Sequence, residues 1–321
     1  MIRTPTHQGT VAAARAVSLI VRMTPLLPVE IGGTACFVKA ENLQPIGAFK
    51  IRGAWWRLSN LTKTERAAGV VAVSSGNHAQ GVAWAARRRG IAATIVMPRD
   101  APQVKLEGTR ALGAEVVLYD RPGEDRDAVA ARLIEERAKS GSRPTLVHAF
   151  GDPWVIEGQG SAGIELTQQM ERGPSRIIAC CGGGGLAAGL ALACPDAAVH
   201  VVEPEGWDMV GQALASGDIV HAPATAPATI CDALQPTATK PLNLGLLKDR
   251  AEPGVTVTDD EVRAAQRWAF GHLAMVLEPG GAAALAAALS GKVPLDNRTV
   301  IMLTGGNADP ARFAETLVAS A

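Results

Sequence analysis

Val70-Val71-Ala72-Val73-Ser74-Ser75-Gly76-Asn77-His78-Ala79-Gln80-Gly81 changes its period in the middle. A β-branched run gives way to a polar turn containing glycine. Helical spacing then continues to Arg89 and stops at Gly90. This reads as strand, turn and helix, the first half of a crossover unit. The pattern repeats downstream. Ala93 to Met97 is a strand stopped by Pro98, Gln103 to Leu112 a helix ended by Gly113, and Glu115 to Tyr119 a strand. A helix from Asp125 to Lys139 and a strand from Leu146 to His148 follow. Such a βαβαβαβ series predicts a parallel sheet with right-handed crossovers.

A second series starts with a helix from Gly158 to Arg172. It continues through a strand at Arg176 to Cys180, a helix at Leu186 to Ala193 and a strand at Val199 to Glu203. Helices at Asp259 to Leu273 and Gly281 to Leu289 precede a strand at Thr299 to Leu303. Asp218 to Pro241, rich in Ala, Pro and Thr, reads as an extended connection. The predicted fold class is α/β, with two open, mainly parallel sheets facing a cleft. Residues 67–146 would form a small domain, and residues 1–66 with 147–321 a large one. Ligands of such sheets bind beyond the carboxyl ends of the strands.

Composition narrows the function. The 321 residues carry 31 basic and 31 acidic side chains, so no electrostatic footprint for nucleic acid or an anionic membrane is expected. Aromatic residues are only 4%, too few for base-stacking platforms. Mean hydropathy is +0.13, yet no apolar run is long enough to span a bilayer. Met1 to Thr10 is polar and lacks a signal-peptide core, so a cytoplasmic location is expected. Five cysteines without a C-x-x-C pair suggest free, buried thiols. The six histidines show no zinc-ligand spacing.

Three strand-to-helix turns and one lysine carry the chemistry. Lys50 follows Gly47-Ala48-Phe49 at the start of a predicted helix, Lys50 to Asn60, with Phe49 and Ile51 beside it. An amine in an apolar wall near a helix N-terminus has a lowered pKa, which suits attack on an aldehyde. Gly182-Gly183-Gly184-Gly185 ends a strand and opens a helix, so bare N–H groups there could cradle a phosphate. The same stretch fits a dinucleotide fingerprint, with Glu203 at the offset expected of a ribose-binding acid. Taken alone it does not separate a nicotinamide enzyme from another phosphate-bearing cofactor. Ser74-Ser75-Gly76-Asn77-His78 offers hydroxyls and N–H groups to a carboxylate. Leu303-Thr304-Gly305-Gly306-Asn307 places a hydroxyl at a strand end.

In this order, with Glu278-Pro279-Gly280-Gly281 between them, these motifs resemble the serine/threonine dehydratases. That family uses pyridoxal phosphate on the fold type II scaffold and includes serine racemase and hydroxyaspartate dehydratases. The resemblance implies a cofactor held by Lys50 as a Schiff base, with Phe49 near the ring. Gly182, Gly183, Gly184, Gly185 and Leu186 would hold its phosphate. Asn77 would contact the ring oxygen, Glu278 would join the cofactor pocket, and Thr304 would meet the pyridine nitrogen. Ser74, Ser75, Asn77 and His78 would hold the substrate carboxylate, with Ser75 on the face opposite Lys50. Arg126 could bind a second carboxylate, as in 3-hydroxyaspartate, although a solvated helix residue is the more ordinary reading. Glu203, with Asp208 nearby, matches a site for Mg²⁺ or Ca²⁺. Ala233 stands where many relatives have glycine.

The implied activity is β-elimination from a small β-hydroxy amino acid such as serine or threonine, giving a 2-oxo acid and ammonia. Racemisation or hydroxyaspartate dehydration at the same site is the alternative, and an NAD-dependent oxidoreductase a more remote one. A homodimer is expected. With the last motif so near Ala321, an appended regulatory domain is not.

Overall fold

A computed structural model describes residues 3–101, 103–120 and 123–318. The strands are β1 (Leu26–Ile31), β2 (Thr34–Ala40), β3 (Val70–Val73), β4 (Ala93–Pro98) and β5 (Glu115–Tyr119). They continue with β6 (Thr145–Leu146), β7 (Arg176–Cys180), β8 (Ala198–Pro204), β9 (Val255–Val257) and β10 (Thr299–Leu303). One sheet has the order β5-β4-β3-β6 and is wholly parallel. The other has the order β1-β2-β10-β7-β8-β9 and is parallel except for the β1–β2 hairpin. Two sheets, each rich in parallel pairs, are therefore present as expected.

The sequence reading overlooked the hairpin. Pro28 interrupts its first strand, and a proline normally argues against a strand. Here β1 lies at the sheet edge, where a missing N–H is tolerated. Gly32 and Gly33 both take positive φ, +58° and +76°, which the tight two-residue turn requires.

The long central helix also differs from expectation, running Pro153–Gln169. Asp152 caps it by accepting from the N–H of Trp154 and Val155, and Pro153 occupies the first turn. Its glycines are contact points rather than breakers. A Cβ on Gly158 would lie 2.6 Å from Gly53 Cα, and one on Gly160 would lie 2.6 Å from Gly189 O. Helices Lys50–Ser59 and Gly185–Ala193 thus pack onto this helix at backbone distance. One rod fixes the positions of the lysine and of the glycine loop.

Helix Lys50–Ser59 bridges the halves of the molecule. Ile51, Ala54 and Leu58 join the same apolar cluster as Val70, Ala72 and Ile95 of the four-stranded sheet. On its other face, Arg52 is fully buried and grips Glu41 with two hydrogen bonds of 2.7 Å. It also donates to Glu165 at 2.7 Å, while the buried Lys39 donates to Glu165 at 2.6 Å. Buried charges are tolerated only when paired in this way. In the six-stranded sheet, Val300, Ile301, Met302 and Leu303 of β10 are completely buried. Each such side chain contributes roughly 1.5–3 kcal/mol relative to exposure. Among the described residues no helix is long and apolar enough to cross a membrane.

Candidate active site

A cavity of about 480 Å³ opens between the two sheets. Lys50, Ser74, Ser75, Asn77, His78, Gly182 to Gly185, Glu278 and Thr304 all line it. Ser74 to His78, Gly182 to Gly185 and Thr304 follow the carboxyl ends of β3, β7 and β10, as the rule for open α/β sheets requires, while Lys50 and Glu278 come from the starts of two helices.

Lys50 opens its helix, and its amine donates to Ala149 O at 3.0 Å. Burial lowers its pKa from 10.5 to about 8, against the opposing pull of Cys180, Cys181 and Glu278. The amine lies 5.0 Å from the centre of the Phe49 ring. The turn before it is fastened to the turn after β10. Phe49 N donates to Thr304 O at 3.1 Å, Gly306 N donates to Gly47 O at 2.8 Å, and Ala48 bridges Gly305.

Gly184, the N-cap of helix Gly185–Ala193, has φ +88°. No side chain caps that helix. Its first-turn N–H groups therefore suit an anion. Gly183 and Gly185 have a further reason to be glycine. A Cβ on Gly183 would overlap the Phe150 ring, and one on Gly185 would lie 2.8 Å from Phe150 Cα. The loop is held from behind by Thr239 and Asn243, which donate to Gly183 O at 3.0 and 2.9 Å. Leu186 is buried in the same apolar cluster as Phe49.

Asn77 starts helix Asn77–Arg89, which also lacks a side-chain cap. Its amide is fully engaged: Nδ2 donates to Glu278 Oε1 at 2.5 Å, and Oδ1 accepts from Asn307 Nδ2 at 2.8 Å. Asn307 also donates to Ile46 O at 2.9 Å, which ties Asn77 to the Lys50 turn. Burial raises Glu278 to about 7, against the Asn77 hydrogen bond. His78 is 2% exposed. Its Nε2 lies 2.8 Å from Val147 O, and a carbonyl can only accept, so Nε2 carries the hydrogen. Burial, with Lys50 nearby, lowers its pKa to about 3. The ring is therefore neutral and brings no positive charge to a carboxylate. Ser74 Oγ accepts from Gly76 N at 3.1 Å. Ser75 Oγ makes no hydrogen bond among the described residues, which leaves it open to the cavity.

Arg126 lines the cavity from the first turn of an exposed helix, with no ion-pair partner among the described residues. Lys105 and Asp232 meet at 2.9 Å across the mouth, joining the two halves. Ala233 is part of the lining. Glu203 and Asp208 lie elsewhere. Glu203 accepts from Val210 N at 2.9 Å and from Gly211 N at 2.7 Å, so it caps the helix Met209–Ser216 that Asp208 precedes. Burial raises its pKa to about 8. No group of three or more potential metal ligands occurs among the described residues.

Three contributors escaped the sequence reading, His148, Phe150 and Cys180, and Asn307 was quoted in its motif without a role. His148 Nδ1 accepts from Phe150 N and Gly151 N at 3.3 and 2.9 Å, and burial lowers its pKa to about 4. The predicted strand at Leu146 to His148 ends at Leu146, which frees this segment to form cavity wall. Its place beyond a strand end was the available signal.

An uncapped helix N-terminus, a buried amine and a strand-end hydroxyl on one cavity fit a phosphate-bearing aldehyde with a ring nitrogen. Comparison with known proteins agrees. The model of the family "Pyridoxal-phosphate dependent enzyme" matches residues 17–305. L-threo-3-hydroxyaspartate ammonia-lyase of Pseudomonas sp is 40% identical over 291 residues, 89% of this chain and 88% of that protein. L-threonine ammonia-lyase of Thermotoga maritima is 36% identical over 284 residues, 87% of this chain and 69% of that protein. The structure of maize serine racemase superposes with a TM-score of 0.89 at 31% identity, covering 98% of this chain and 97% of that one.

Proposed function

Because this chain belongs to the pyridoxal-phosphate-dependent enzymes, in the serine/threonine dehydratase family, we propose that it eliminates water from a small β-hydroxy amino acid and that water then hydrolyses the resulting enamine, so that the net products are a 2-oxo acid and ammonia. The observation that carries this reading is the pairing of the buried Lys50 amine with a hydroxyl, Thr304, rather than a carboxylate, at the strand end assigned to the ring nitrogen. When bound, pyridoxal phosphate supplies an electron-accepting ring that acidifies the substrate Cα–H. Everything else falls to the protein. Lys50, with a pKa near 8, holds or takes the proton at Cα. The N–H groups opening helix Asn77–Arg89, with Ser74 and Ser75, receive the substrate carboxylate. The neutral His78 ring packs behind them without adding charge. Gly182 to Gly185 and Leu186 would hold the phosphate. The hydroxyl of Thr304 would serve the ring nitrogen without forcing a proton onto it, which would favour prompt loss of a β-hydroxyl.

Racemisation is the second reading, and the free hydroxyl of Ser75 is what supports it. A base on one face of Cα and a proton donor on the other would invert the centre. The test is release of 2-oxo acid and ammonia from L-serine, L-threonine and L-threo-3-hydroxyaspartate with pyridoxal phosphate supplied, alongside chiral analysis of the recovered substrate. Release from at least one is expected. Recovered serine of mixed configuration without oxo acid would move the assignment to racemase. Neither product from any of the three would overturn the proposal.

A further inference from the structure

Cys180 has no part in the chemistry above, yet it touches the side chain assigned to the ring nitrogen. It ends β7, and Thr304 follows β10, the neighbouring strand. Cys180 Sγ and Thr304 Oγ1 are 2.9 Å apart, both residues are at least 95% buried, and both line the cavity. We infer that Cys180 is a positioning residue: its S–H donates to Thr304 Oγ1 and so aims the hydroxyl hydrogen of Thr304 into the cavity as a donor.

A hydroxyl has one hydrogen and two lone pairs, so its partner on one side decides what it offers on the other. If Thr304 donated to sulfur, its lone pairs would confront those of an unprotonated ring nitrogen. The chain S–H to O–H to nitrogen satisfies every group, and each bond polarises the next. The reverse chain would start from a protonated nitrogen and end on sulfur, a weak acceptor. Burial supports the first arrangement, since it pushes the Cys180 thiol up to about 11 and keeps its proton in place. Replacing the thiol would therefore alter the electronic state of the ring without touching the ring.

This inference rests on the reading of Thr304 as the nitrogen's partner, and the experiment separates the two. Cys180→Ser, Cys180→Ala, Cys180→Val and Thr304→Val would be compared by two readouts. The first is the dissociation constant of pyridoxal phosphate, from fluorescence titration of the cofactor-free protein. The second is the pH dependence of the visible band of the loaded protein. Serine keeps a donor and should stay within about twofold of the parent. Alanine and valine should weaken cofactor binding about fivefold, the effect of one lost hydrogen bond, and shift the pH dependence of the band. A packing role predicts another order, with valine best and the smaller, polar serine no better than alanine. That order, or an alanine variant indistinguishable from the parent, would overturn the inference. If Thr304→Val shifts the band and Cys180→Ala does not, only the role of Cys180 falls. If Thr304→Val is also silent, the reading of Thr304 falls with it.

Discussion

The two walls of the cavity are built differently. On the side of the six-stranded sheet, the turns that carry Lys50, Thr304 and Glu278 are locked to one another by backbone bonds, and the glycine loop by the side chains of Thr239 and Asn243. On the side of the four-stranded sheet, Ser75 has no hydrogen-bond partner among the described residues, Arg126 is exposed, and the ion pair of Lys105 is open to solvent. A rigid wall suits a ligand that stays, and a looser wall suits ligands that come and go. On the proposed function, the cofactor would rest on the first wall and the changing part of the substrate on the second.

The strongest way to break that assignment is Lys50→Ala. Its turnover should fall about 10³-fold or more, while far-ultraviolet circular dichroism stays unchanged. Turnover within tenfold of the parent would remove the first wall from the chemistry. A pH series sharpens the same point. A lysine whose pKa drops from 10.5 to about 8 presents its neutral amine two to three pH units earlier. The rate at which cofactor-free protein reacts with pyridoxal phosphate, trapped by borohydride, should rise through pH 8. Between pH 8 and 10.5 the unfolded chain binds a proton that the folded chain does not, so stability gains with pH in that window.

Gly183→Ala ranks next. Its methyl would collide with the Phe150 ring at a cost of about 1–3 kcal/mol, seen as lost cofactor affinity and a lower Tm. Arg126→Ala should raise KM for hydroxyaspartate about tenfold and leave that for serine and the cofactor affinity unchanged. Equal effects on both substrates would place Arg126 outside the site. The smallest effect belongs to Lys105→Ala, because a pair 26% and 62% exposed contributes under about 1 kcal/mol to denaturant unfolding.

Much of the rigid wall was legible in the sequence, because it consists of local signals: a lysine after a turn and glycines between strand and helix. Its fastenings were not. Asn307 reaches Asn77 across 230 positions, and Cys180 reaches Thr304 across 124. No periodicity encodes such encounters. The glycine loop shows a subtler failure. Four glycines suggested room for a phosphate, whereas Gly183 and Gly185 also lack side chains because Phe150 occupies that space. Arg126 was legible both as a candidate and as a solvated helix residue, and it is exposed, yet it also lines the cavity. The β1–β2 hairpin was hidden by Pro28, whose meaning depends on which strand becomes the edge.

The buried set of Lys39, Glu41, Arg52 and Glu165 has a consequence for how this protein can change over time. Its four charges cancel, and Arg52 sits two positions from Lys50. Deleting any one of them leaves an uncompensated charge in the interior, at about 3–5 kcal/mol against a total stability of about 5–15 kcal/mol. Drift at these positions must therefore proceed by linked double replacements. A library that varies them one at a time will return little but the parent, and descendants of this chain inherit the four residues as a block or lose them as one.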